Sequence, residues 1–97
     1  MDPEEAEAIV RAALLQDLGE KEALMPLTSR LREDMDFDEL DYVEMCILLE
    51  KVIASPEAGA HRQVVAIPDE DMADWVTMQD MVDTVVKVTT PGYGRLP

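Results

Sequence analysis

The sequence predicts an all-α fold, a four-helix bundle with a short third helix and a long loop between helices 1 and 2. Three observations predict a single packed helical domain. Four stretches open with helix-start chemistry, at Asp2-Pro3, Asp38, Pro68 and Thr77, and each leads into apolar residues at helical spacing. The chain has 97 residues, about one domain's worth. Hydrophobic residues make up 47% of it, enough to build a packed core in a small domain. The expected organisation is a single domain over 1–90, with 53–66 as an extended loop insertion and 91–97 as a tail.

The first helix starts where Asp2 serves as N-cap, Pro3 takes the first helical position and Glu5 the capping-box position. Ala6, Ile9, Val10, Ala13, Leu14 and Leu18 form its apolar face, and Gly19 is expected to end it in a left-handed conformation. Over 20–35 the pattern is irregular. Pro26 breaks any helix there, and Leu24, Leu27 and Leu31 are the candidate anchors of a packed loop.

The second helix has Asp38 as N-cap, with Asp41 placed to assist its amide end, and carries two apolar stripes. Tyr42, Met45, Cys46, Leu49 and Val52 form the larger one, expected in the core. Leu40, Val43 and Ile47 form the other, interleaved with Asp41, Glu44 and Glu50. A small bundle can bury one stripe, which leaves this second one as an apolar strip edged by carboxylates unless another helix covers it. The connection 53–66 contains Pro, Gly and Ala and is expected to be a loop holding His61 as a solvated side chain. Pro68 starts a helix of one or two turns that Trp75 and Val76 close against the core. The last helix has Thr77 as N-cap and Asp80 in capping-box position, with Met78, Met81, Val82, Val85 and Val88 on its apolar face.

Charge narrows the range of functions. Twenty-two acids against eight Lys and Arg give a net charge of −14, the wrong sign for a phosphate backbone, so nucleic acid is not an expected partner. Eight acids fall within 33–51 against the one base Lys51, and six fall within 68–83 with no base. A field of this kind steers basic partners. The lone Cys46 sits in the apolar run Met45-Cys46-Ile47-Leu48-Leu49, which favours packing over reactivity, excludes an internal disulfide and fits a reducing, cytoplasmic setting. No apolar stretch follows the acidic N-terminus as a signal or membrane span would, so a soluble, monomeric protein without membrane contact is expected.

Two blocks resemble the acyl carrier protein family. Glu33-Asp34-Met35-Asp36-Phe37-Asp38-Glu39-Leu40-Asp41-Tyr42-Val43-Glu44-Met45 is similar to the family's E-D-L-G-x-D-S-L-D-x-V-E-L, and Ile67-Pro68-Asp69-Glu70-Asp71 with Thr77-Met78-Gln79 is similar to its I-P-D-E segment and T-x-Q helix start. The resemblance covers most of the chain outside 53–66 and the tail. It implies the four-helix bundle and an acidic recognition helix. It also implies a phosphopantetheine arm on the serine of D-S-L, but that position is Glu39, and a carboxylate cannot carry the arm as a serine phosphodiester does. Neither Ser29 nor Ser55 lies in a D-S-L context. Asp36 stands where the family has glycine.

Other chemistry finds little support. Asp34, Asp36 and Asp38 alternate like the start of a calcium-binding loop, but the following positions carry Glu39, Asp41 and Met45 where glycine, an apolar residue and glutamate are needed. No nucleophile–base pair, zinc-ligand spacing or phosphate loop occurs, so no enzyme, catalytic residue or metal site is expected. The leading expectation is an acyl-carrier-like interaction module without a cofactor. It would dock basic surfaces of protein partners, biosynthetic enzymes among them, through Asp38, Glu39, Leu40, Asp41, Val43, Glu44 and Ile47, with Asp69 and Glu70 added by the resemblance. The alternatives are a genuine acyl or aminoacyl carrier for fatty acid, polyketide or related biosynthesis, with Glu39 in place of a native serine and phosphopantetheine as its cofactor, and a cation-buffering acidic protein.

Overall fold

A computed structural model describes residues 1–53 and 66–90. Most of the expected loop insertion, including His61, and the whole of the expected tail lie outside the described residues. The chain forms α1 (Pro3–Asp17), α2 (Glu20–Ala23), α3 (Glu39–Ile53), α4 (Asp69–Ala73) and α5 (Met78–Val88). The all-α expectation holds: among the described residues the only extended pairing is an isolated antiparallel bridge between Arg30 and Thr77. The expected count of four helices does not hold for the described residues, because the connection after α1 contains the extra turn α2. Ile53, placed by sequence at the start of the insertion, is the last residue of α3 and fully buried.

Asp2 caps α1 as expected, its Oδ1 accepting the Glu5 amide at 2.9 Å. Gly19 departs from expectation in an instructive way. Its φ of 126° is positive, but with ψ of −177° the residue is not left-handed helical and lies in a region essentially reserved for glycine. The chain thereby leaves α1 and re-enters a helical turn at Glu20 without any side-chain cap. Arg11 holds this turn down: its Nη1 donates to the carbonyls of Ala23 at 2.8 Å and Met25 at 2.7 Å, and its Nε to Glu7 at 2.9 Å. Those carbonyls lie at and just beyond the C-terminal end of α2, where carbonyls have no intrahelical partner.

α1 is the central element and packs against α2, α3 and α5. Val10 and Leu14 of α1 meet Met45, Leu49 and Ile53 of α3 and Met78, Met81, Val82 and Val85 of α5 in one buried cluster. The 27–31 segment is strapped across the start of α5. Met78 and Gln79 donate their amides to the carbonyls of Ser29 (3.0 Å) and Leu27 (2.9 Å). Thr77 and Asp80 form the expected capping box, so the first three amides of α5 are all paired.

Two anchors are corrected. Leu24 is 71% exposed, because it is the C-cap of α2 and its backbone, not its side chain, is held; Leu31 is fully buried and Leu27 half-buried. Val76 is 58% exposed while Trp75 is buried. The Val76 carbonyl accepts the Leu31 amide at 2.8 Å, and this extended pairing leaves the side chain pointing outward. The Trp75 indole N–H instead donates to Thr84 Oγ1 at 2.8 Å inside the core.

Asp36 is the one non-glycine residue among those described with positive φ, at 59°. That conformation costs an L-residue roughly 1–2 kcal/mol, less for Asp than for most. Asp36→Gly is therefore expected to raise stability by up to about 1 kcal/mol, the relief being partly offset by the freer unfolded chain. Urea unfolding measures this, and a lower midpoint for the variant would show that the Asp36 side chain itself holds the turn.

Candidate functional site

The start of α3 is fixed by a reciprocal pair of bonds. The Asp41 amide donates to Asp38 Oδ1 at 2.9 Å, and the Asp38 amide donates to Asp41 Oδ2 at 3.0 Å. Two carboxylates at a helix N-terminus also suit the positive end of the helix dipole. From this fixed start the helix turns Met45, Leu48 and Leu49 into the core, with Tyr42, Cys46 and Val52 half-buried. The larger stripe is therefore centred slightly differently from expectation, with Leu48 and Ile53 included.

The second stripe faces outward. Leu40 is 66% exposed, Val43 46% and Ile47 48%, so none of them is covered by another described element. Asp38, Glu39 and Glu44 are exposed beside them, and Asp41 is half-buried. Asp69 and Glu70 are exposed on the first turn of α4. The α4 segment is tied to α3 by the Ile67 amide, which donates to Glu50 Oε2 at 2.7 Å, and to α5 by the Lys87–Asp71 ion pair at 2.9 Å. The structure thus brings Asp69 close enough to α3 to act on Cys46. That thiol is pushed up to about 11, first by burial and then by the carboxylates of Glu50 and Asp69. It is a protonated packing group at neutral pH rather than a nucleophile.

Between α3 and α4 lies an open groove of about 360 Å³, lined by Arg32, Glu39, Tyr42, Val43, Met72, Ala73 and Trp75. Arg32 lies over the Tyr42 ring with its guanidinium carbon 5.1 Å from the centroid, and Phe37 meets the same ring edge-on at 5.2 Å and 73°. Sequence reasoning missed this groove and Arg32 with it. The available signal was Arg32, the second of two arginines just ahead of a run of acids that holds Phe37 and Tyr42.

Asp17 was also missed. It ends α1, whose last turn carries no base, and one of its carboxylate oxygens is sealed from solvent with no hydrogen-bond partner among the described residues. Burial, then the charge and hydrogen-bonding reach of Asp41, then Glu44 and Asp38, push it up to about 6. Once protonated, it can donate to Asp41 and satisfy that oxygen.

No family model and no solved structure matches this chain. Among the described residues no three His, Cys, Asp or Glu side chains gather as a metal-ligand set. Within the acidic stretch, Asp34 Oδ2 accepts the Arg30 amide at 2.8 Å and Asp38 caps α3. No helix of the described residues is long and apolar enough to cross a membrane.

Proposed function

We propose that the chain is an acyl-carrier-like protein without a phosphopantetheine serine, acting as an acidic, non-catalytic interaction module that docks basic protein surfaces through α3. The observation that carries this reading is the exposed row Leu40, Val43 and Ile47 among Glu39, Asp41 and Glu44. Long-range charge sets the approach, over about 8 Å at physiological salt, and burial of the row sets the lifetime. Glu44→Lys should slow association and flatten its salt dependence, whereas Val43→Asp should chiefly speed dissociation. The measurement is a pair of rate constants at two salt concentrations against a partner captured from the host. Unchanged rates for both variants, with helicity intact by circular dichroism, would remove α3 as the docking face.

A second reading, a genuine acyl or aminoacyl carrier with Glu39 in place of a native serine, is favoured by two observations. Asp36 adopts positive φ where the resembled family has glycine, and Glu39 is exposed at the first turn of α3 beside the groove. Incubation with coenzyme A and a broad-specificity phosphopantetheinyl transferase should leave the mass of the protein unchanged. A gain of one arm by Glu39→Ser, and none by the unaltered chain, would favour this second reading.

A further inference from the structure

We propose that the groove between α3 and α4 seats one bulky apolar side chain of the docking partner, and that the partner element is a basic amphipathic helix. This rests on the docking reading above and adds to it an occupant and an anchor point. Val43 belongs both to the exposed row and to the groove lining, so the row and the groove form one continuous apolar path. The groove of about 360 Å³ has ample room for one large side chain, given that a cavity of about 150 Å³ accepts benzene. Tyr42, Val43, Met72, Ala73 and Trp75 supply apolar walls, the setting in which a single anchor residue contributes most to affinity.

The shape of the row selects a helix. Leu40, Val43 and Ile47 run along α3 for roughly 10 Å at the helical rise, and a ridge of that spacing fits the groove between ridges of another helix. A strand has nothing to pair with there, because the backbone bonds of α3 are internal. Charge selects the sign. Glu39, Glu44, Asp69 and Glu70 are exposed on the two elements that form the walls, and Arg32, the groove's one cation, is held over Tyr42. A small apolar acid would meet the same carboxylates with a like charge.

The probe is a lysine–leucine amphipathic peptide with one central phenylalanine, alongside its Phe-to-Ala form. Each is titrated by calorimetry and by emission of Trp75, the chain's one tryptophan, which lines the groove. Ala73→Phe fills the groove from an exposed position, Ala73→Met fills it more gently, and Ile47→Asp breaks the row outside it. Loss of the peptide's phenylalanine should weaken binding to the unaltered protein about tenfold, roughly 1.4 kcal/mol, and scarcely at all to the two filled variants. Ile47→Asp should weaken both peptides alike. Equal loss on filled and unfilled protein would overturn the anchor while the Ile47→Asp result still supports docking. If Ile47→Asp also has no effect, the docking reading fails with it. Decanoate that shifts Trp75 emission and displaces only the phenylalanine peptide would overturn the proposal in favour of a small-molecule groove.

Discussion

Arg11→Ala is expected to cost the fold about 2–3 kcal/mol, through lost charged hydrogen bonds and lost packing of the arginine stem. Its guanidinium joins α1 to the carbonyls of Ala23 and Met25, and no other described side chain reaches both. These bonds are partly shielded, the Arg11 side chain being 26% exposed, so water only partly replaces them. The ion pair with Glu7 adds little by comparison, as surface pairs of this spacing do. For a domain of this size the loss corresponds to a fall in Tm of roughly 10–20 °C. Urea unfolding followed by the buried Trp75 gives the stability directly. Arg11→Lys should recover only part of it, because an ammonium has no second nitrogen to hold Glu7, as Nε does here, while Nη1 bonds the two carbonyls. A loss below about 0.5 kcal/mol for Arg11→Ala would mean that α2 stands without this strap.

The starts of α1, α3 and α5 were legible because each is a local chemical device. Asp2, Asp38, Thr77 and Asp80 bond amides within a few residues of themselves, and those bonds form as the sequence implies. The turn α2 was not legible, since it has no side-chain cap and depends on Gly19 and on Arg11, a residue twelve and fourteen positions from its acceptors. Leu24 and Val76 misled for a related reason. Apolarity alone does not say whether a loop residue is held by its side chain or by its backbone, and both are held by backbone bonds.

The candidate site shows the same division. The exposed row on α3 follows from period and charge along one helix, and the exposure of Leu40, Val43 and Ile47 agrees with it. The groove does not, because it exists only once α4 is drawn against α3 by Glu50 and against α5 by Lys87. Asp17 escaped for the same reason: as a sequence it is one more acid after an amphipathic face, and only the meeting of α1 with α3 places it against Asp38, Asp41 and Glu44.

That meeting gives stability an unusual pH dependence for a carboxylate, and Asp17→Asn should stabilise the protein at neutral pH. The folded-state pKa of Asp17 is raised from 3.8 to about 6, by burial first and by Asp41, Glu44 and Asp38 after it. Between those two values the folded chain binds more protons at this group than the unfolded chain does, so stability falls as pH rises. The contribution is fully present below pH 3.8 and is lost as pH passes through about 6. The full difference corresponds to about 3 kcal/mol, and screening of a partly exposed side chain reduces it to about 1 kcal/mol. An amide at position 17 cannot ionise and can donate to Asp41 at every pH, so the variant should exceed the unaltered protein by about that amount at pH 7 and match it near pH 4. The comparison of the two proteins cancels the general repulsion of a chain with net charge −14 and the opposite trend of Asp2, whose pKa is lowered by the amide it caps. Unfolding midpoints of both proteins across pH 4–7.5 test this. If the difference between them stays constant over that window, Asp17 does not titrate within it, and the close approach of α1 to the first turn of α3 is not what sets its charge.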